Sequence, residues 1–308
     1  MSAGKHGTEI CLRVMEDIFP PFRLQTDQEK YLNLFTVESV FNRTPARNPK
    51  VVVSTSLYWG THWPREQERV EPSLETLKCP RPSVRDGGSW WQTYFSPFLL
   101  GCGEPLPEGW IHRVYLASDL AFLIDEIPAS VEIYLMTETS WGSIPGMLWR
   151  YLPMEEPAFC VARGADNYFL GGYQQVVALA LQLGSFLLRN TISFWQDNFN
   201  RFIYRTIQGS CCVKGPVPFV PHAAAWVRQA QCDPLSQRVE AFPYLLHIGL
   251  DHWAEYGQDE QFLSRWLYYL AGTMKTITLV EPIGNHEIFI RDTQYLQSLG
   301  GLHSIIRR

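Results

Sequence analysis

The chain has 308 residues, of which 46% are hydrophobic and 19% charged, and its formal net charge is −5. That composition supports one large core or two smaller ones and excludes disorder over most of the length. The acidic balance excludes broad binding to a phosphate backbone, so no nucleic-acid partner is expected, although local basic clusters can still hold a small phosphate ligand.

Residues 1–49 mix charge, proline and aromatics and read as an N-terminal extension packed on the main domain, which spans 50–308. Val51 to Val53 open a buried strand that runs into small polar residues, "STSLYWG". Residues 64–88, rich in Pro, Glu and Arg, read as a long loop. "SWWQTYFSPFLL" is a helix or an aromatic-lined segment. "WIHRVYLAS" and "SVEIYLM" are the second and third strands. "IPGMLWRYLPM" is a helix with Ser143 as cap and Pro145 in its first turn. "AFCVA" is a fourth strand, "YQQVVALALQLGSFLLRN" a long helix, and "ISFWQDN" a further strand and loop. A helix from about Pro221 to Gln231, another in "DEQFLSRWLYYLA" and a last strand in "TITLVEP" complete the pass. Strands alternating with helices predict an α/β fold with a mostly parallel sheet and helices on both faces. In such sheets ligands bind outside the carboxyl ends of the strands.

The seven cysteines show no Cys-x-x-Cys, so reduced thiols and a cytoplasmic location are expected. The longest apolar run, "VVALALQLGSFLL", is broken by Gln182, Gly184 and Ser185 and is too short for a bilayer, so no transmembrane segment is expected. No P-loop, dinucleotide-type glycine motif, nucleophile elbow or zinc-hydrolase histidine pair is present.

One strand end carries chemistry. The apolar run Phe159 to Ala162 stops at Arg163-Gly164-Ala165-Asp166. A carboxylate beside an arginine, with small residues between them, suits a metal-bound diphosphate. A surface ion pair in a turn accounts for the same four residues. Arg150, in the apolar stretch "LWRYL", is hard to bury unpaired, and its expected partner is Asp166 or a phosphate.

The ordered set "VSTSLYWG", "HRVYLA", "VEIYLM", "GMLWRYLPM", "VARGADN", "GSCCVKGP" and "YGQDEQFL" resembles small GT-A-type glycosyltransferases of bacteria and large viruses, over about residues 50–285. No single piece is specific; the order and spacing carry the resemblance. It implies a GT-A-like, Rossmann-like sheet and a nucleotide-sugar donor, a UDP-sugar. The acceptor would be a hydroxyl on a glycan or small molecule. It implies a divalent metal, Mn2+ or Mg2+, that is weakly bound or dispensable, because Gly164 stands where the family has the first Asp of its Asp-x-Asp motif. Asp166 alone remains there, and His286 is a late histidine of the kind that joins the metal. Arg150 and Arg163 would clamp phosphate, and Ser56, Tyr58 and Trp59 would contact base and ribose. Asp259, in "YGQDEQFL", would be the general base of an inverting enzyme, with Asp197 as second candidate; helix capping explains Asp259 equally simply. The loss of one Asp leaves open a catalytically degenerate relative that binds carbohydrate or a partner. A nucleotide-sugar hydrolase would share the site.

Overall fold

The computed structural model describes residues 28–41, 49–59, 71–80, 87–137, 144–168, 186–196, 202–232, 259, 262–263, 277–283 and 286–290. The strands are β1 (Val37–Phe41), β2 (Val51–Leu57), β3 (Trp110–Ala117), β4 (Val131–Met136), β5 (Phe159–Ala162), β6 (Phe186–Gln196), β7 (Phe202–Lys214), β8 (Ile277–Ile283) and β9 (His286–Ile290). They form one sheet in the order β1-β4-β3-β2-β5-β7-β6-β8-β9. Strands β2, β3, β4 and β5 are mutually parallel, and β6 and β8 share their direction, while β1, β7 and β9 oppose it.

The sequence explains the centre. Every residue of β2 and of β3 is buried, as expected for parallel strands covered on both faces. Alternation splits them. Val51, Val53 and Leu57 join Val114, Leu116, Ile133 and Val161 on one face, under Leu77, Phe95, Phe98, Leu120 and Leu123. Tyr115, Ala117, Met136, Cys160 and Ala162 face the other way, under Tyr31, Leu34, Leu148, Trp149, Ala223, Val227 and Phe262. Helices therefore cover both faces, as expected for the α/β class.

The covering helices are α1 (Gln28–Asn33), α2 (Leu74–Lys78), α3 (Ser96–Cys102, continuing a wide π turn over Trp91–Phe95), α4 (Ile144–Trp149) and α5 (Val220–Cys232). Helix α2 lies within the segment read as loop. A reciprocal cap creates it: Ser73 Oγ accepts from Thr76 N at 3.1 Å, and Thr76 Oγ1 accepts from Ser73 N at 2.6 Å.

Three other readings change. The helix expected through "IPGMLWRYLPM" stops at Trp149, and a 3-10 turn over Leu152–Glu155 follows. Pro153 is the cause, since its ring clashes with the carbonyl four residues back and it has no N–H to donate. The helix expected through Asn190 is already strand by Phe186. Parallel pairing of Phe186 to Arg189 with Ile277 to Val280 decides this leucine-rich stretch, where local pattern alone is ambiguous. The strand expected to be last is followed by β9, an antiparallel hairpin partner. The N-terminal residues do more than pack on the domain: β1 extends the sheet beside β4, and Tyr31, Leu34 and Phe35 enter the core.

A buried ion pair fixes the turn that carries the site. Arg113 and Glu132, each 3% exposed, meet at 2.9 Å, and Arg113 also pairs with Glu156 just beyond the 3-10 turn. Its guanidinium lies over the Tyr134 ring at 4.3 Å. Both buried charges are thus answered, as burial requires.

Candidate functional site

Counting from β2, the chain moves outward to β3 and β4 and then returns to the opposite side of β2 as β5. The direction of winding reverses between β2 and β5, and the crevice beyond their carboxyl ends is where such sheets take ligands. Ser56 to Trp59 leave one strand there and Arg163 to Asp166 leave the other.

Ser54 ties the two ends together. Its carbonyl accepts from Arg163 N at 2.8 Å, and its hydroxyl donates to the Arg150 carbonyl at 2.6 Å. Because Pro153 ends the helix early, Arg150 sits in a turn with its side chain turned toward β5. The guanidinium pairs with Asp259 through Nη2 and Oδ2. The Tyr151 hydroxyl donates to the same Oδ2 at 3.4 Å. The expected partner of Arg150 was Asp166 or a phosphate; among the described residues it is instead a carboxylate 109 positions away in sequence. Burial by itself lowers the Arg150 pKa, but Tyr151 and Asp259 more than offset it, so the net shift is upward and the charge is kept.

Gly164 completes the cluster. Its backbone is extended, at φ −69 and ψ 142. A Cβ there would lie 2.5 Å from Asp166 Oδ1 and 3.7 Å from Arg150 Nη1. Asp166 and Arg150 therefore border the same small space, and it exists because residue 164 has no side chain. Asp166 itself is exposed. Arg163 is not part of this group: it is 8% exposed, and its Nη2 donates to the Asn167 carbonyl at 2.8 Å, closing the turn after β5.

Tyr58 and Trp59 diverge. Tyr58 packs on the α4 face, where the missing side chain of Gly146 lets its ring lie against that helix. Trp59 goes to the α3 face and stands edge-on to Trp90, with centroids 6.3 Å apart. Both are half-buried, and Ser56 is buried. Tyr58 thus adjoins the Arg150 cluster and Trp59 does not.

His286 begins β9, opposite Ile283. It lies at the same end of the sheet as Asp166 but four strands beyond β5, about 19 Å across at ordinary strand spacing. Asp197 lies outside the described residues.

The resemblance implies a divalent ion at Asp166. Such ions take several oxygen ligands. Gly164 offers no side-chain oxygen, Asp259 is engaged by a guanidinium, and among the described residues no three His, Cys, Asp or Glu side chains come together. The cation at this point is Arg150.

The sequence did not announce Ser54, Tyr151 or Gly146 as parts of the site. Only the aromatic flanks of Arg150 hinted that it is enclosed.

No protein-family model matches the chain, and no curated protein or solved structure matches it either. Among the described residues no helix is long and apolar enough to cross a membrane. Fold and site together define an α/β domain with an arginine–carboxylate cluster at the point where its sheet reverses.

Proposed function

We propose that the chain is a GT-A-type glycosyltransferase. It moves a sugar from a nucleoside diphosphate donor, a UDP-sugar, to a hydroxyl of a glycan or small acceptor. The observation that carries this reading is the meeting of Arg150, Gly164, Asp166 and Asp259 beyond β2 and β5, four of the positions on which the resemblance bears. The donor's diphosphate would lie over Gly164, where a backbone without a side chain permits close approach. Tyr58 and Ser56 would border the nucleoside. In an inverting reaction Asp259 takes the proton of the acceptor hydroxyl as that oxygen attacks C1. The C1–O bond to the diphosphate breaks, and UDP leaves with the electron pair.

Gly164 also supports a second reading, a fold that keeps the binding crevice but not the reaction. One experiment separates the two. The full chain is incubated with a panel of nucleotide sugars, and both nucleotide binding and release of UDP are measured. Binding with slow donor hydrolysis supports the transferase. Binding with no release from any donor, or no binding of any nucleotide, sinks the transferase and supports the degenerate module that binds carbohydrate or a partner.

A further inference from the structure

We infer that Arg150 stands in for the divalent ion and that Asp259 holds its place until the diphosphate of the donor arrives. This rests on the glycosyltransferase reading above. Nucleotide binding then requires no metal.

Three observations lead there. The first is charge. A metal-bound diphosphate site needs a cation between carboxylates and phosphate, and here the cation is a guanidinium that pairs with Asp259. The second is space. Arg150 Nη1 and Asp166 Oδ1 border the void left by Gly164, at 3.7 and 2.5 Å from the point where a Cβ would stand. A second carboxylate at residue 164 would have to displace Asp166, whereas an anion entering over Gly164 reaches Arg150 once the exposed Asp166 side chain rotates aside. The third is valence. A guanidinium carries five N–H donors in a planar fork that matches phosphate oxygens. Asp259 engages Nη2, and among the described residues Arg150 Nε donates to nothing. The arginine therefore has unused donor capacity while its charge is already neutralised by an internal anion.

An internal carboxylate on the phosphate-binding cation has a thermodynamic result. A buried arginine without a counter-ion would be strongly destabilising, so Asp259 keeps the empty site folded. An incoming diphosphate carries more charge and more acceptor oxygens than one carboxylate, and it exchanges with Asp259 on the same fork. The released carboxylate is then free to accept the acceptor's proton, so arrival of the donor prepares the base.

The test is calorimetric titration of the full chain with UDP and with inorganic pyrophosphate, once in excess EDTA and once in excess manganese. The expected result is UDP affinity that agrees within about threefold between the two conditions, with pyrophosphate weaker but equally indifferent to metal. Affinity more than about tenfold tighter with manganese overturns the inference and leaves the glycosyltransferase reading standing. Absence of binding in both conditions overturns both. Arg150→Gln strands a buried carboxylate and can unfold the chain, so the variant used is the double Arg150→Gln/Asp259→Asn, with Arg150→Lys beside it. Loss of at least about tenfold in UDP affinity in EDTA is expected for both, since lysine keeps the charge but not the fork. Wild-type affinity in either folded variant places the phosphate elsewhere and overturns the inference.

Discussion

Trp149 Nε1 donates to the carbonyl of Leu34 at 2.8 Å, across 115 positions of sequence. The indole is completely buried, and Leu34 and Phe35 of the N-terminal segment it holds are buried beside it. The last residue of α4 thus anchors α1 and β1 to the same core that positions Arg150.

Trp149→Phe should keep most of the packing and lose the hydrogen bond, leaving a buried carbonyl unanswered. A loss of about 1–3 kcal/mol is expected from urea unfolding. Trp149→Ala adds a cavity and should lose about 3–5 kcal/mol. No loss for Trp149→Phe would mean that the hydrogen bond contributes nothing, and equal losses for the two variants would mean that the cavity adds nothing.

Two glycines should respond oppositely to alanine. A Cβ on Gly101 would run into the backbone carbonyl of Tyr168, which cannot move aside. Gly101→Ala should therefore cost about 1–3 kcal/mol or more. A Cβ on Gly164 meets the end of the exposed Asp166 side chain, which can rotate away. Gly164→Ala should change stability by less than about 1 kcal/mol, yet weaken nucleotide binding by filling the approach to Arg150. Thermal melts with and without UDP measure both effects.

His112 sets a pH dependence. It is 2% exposed, and its Nδ1 lies 3.1 Å from the Tyr168 hydroxyl, which donates to the Val53 carbonyl at 2.9 Å. The single tyrosine proton is spent on Val53, so the Tyr168 oxygen is placed to accept from Nδ1. Burial pushes the His112 pKa down to about 4. The unfolded chain takes up a proton below about 6.5, so between those values the unfolded state binds more protons and stability falls with falling pH. The expected contribution at the bottom of the window is roughly 3 kcal/mol. Urea midpoints of wild type and His112→Gln should converge as pH drops from neutral toward about 4.5, near the bottom of that window. A constant gap would refute the assignment.

Asp259→Asn tests the base. Turnover should fall by a factor on the order of 10² to 10⁴. UDP affinity should stay level or rise, because the amide competes less well for Arg150. Wild-type turnover would move the role to Asp197.

The fold was legible where period and burial agree. The continuous apolar runs of β2 and β5 predicted buried parallel strands, and the small residues after Ala162 marked the strand end that borders Arg150. Some of the candidate residues meet, Arg150 with Asp259 and with Asp166 at Gly164, but those contacts were not legible. Arg150 and Asp259 each stood out locally, one for its apolar neighbours and one for its place at a helix start, yet nothing local pairs residues so far apart. Phe186 to Asn190 misled because a leucine-rich stretch satisfies helix and strand alike until its neighbours exist. Helix α2 was missed because its cap is a two-residue exchange inside a charged, proline-rich segment.

Strand β1 has a consequence for biosynthesis. Residues 28–41 leave the ribosome before any surface they pack against, since β4 and Trp149 follow about a hundred residues later. Loop closure of that length delays the pairing, so β4 remains an open sheet edge until the nascent chain folds back on itself. During that interval the edge offers unpaired N–H and C=O groups to any extended segment nearby. A chain trimmed to begin at residue 50 would keep the crevice residues and carry that open edge permanently, and it should associate through it.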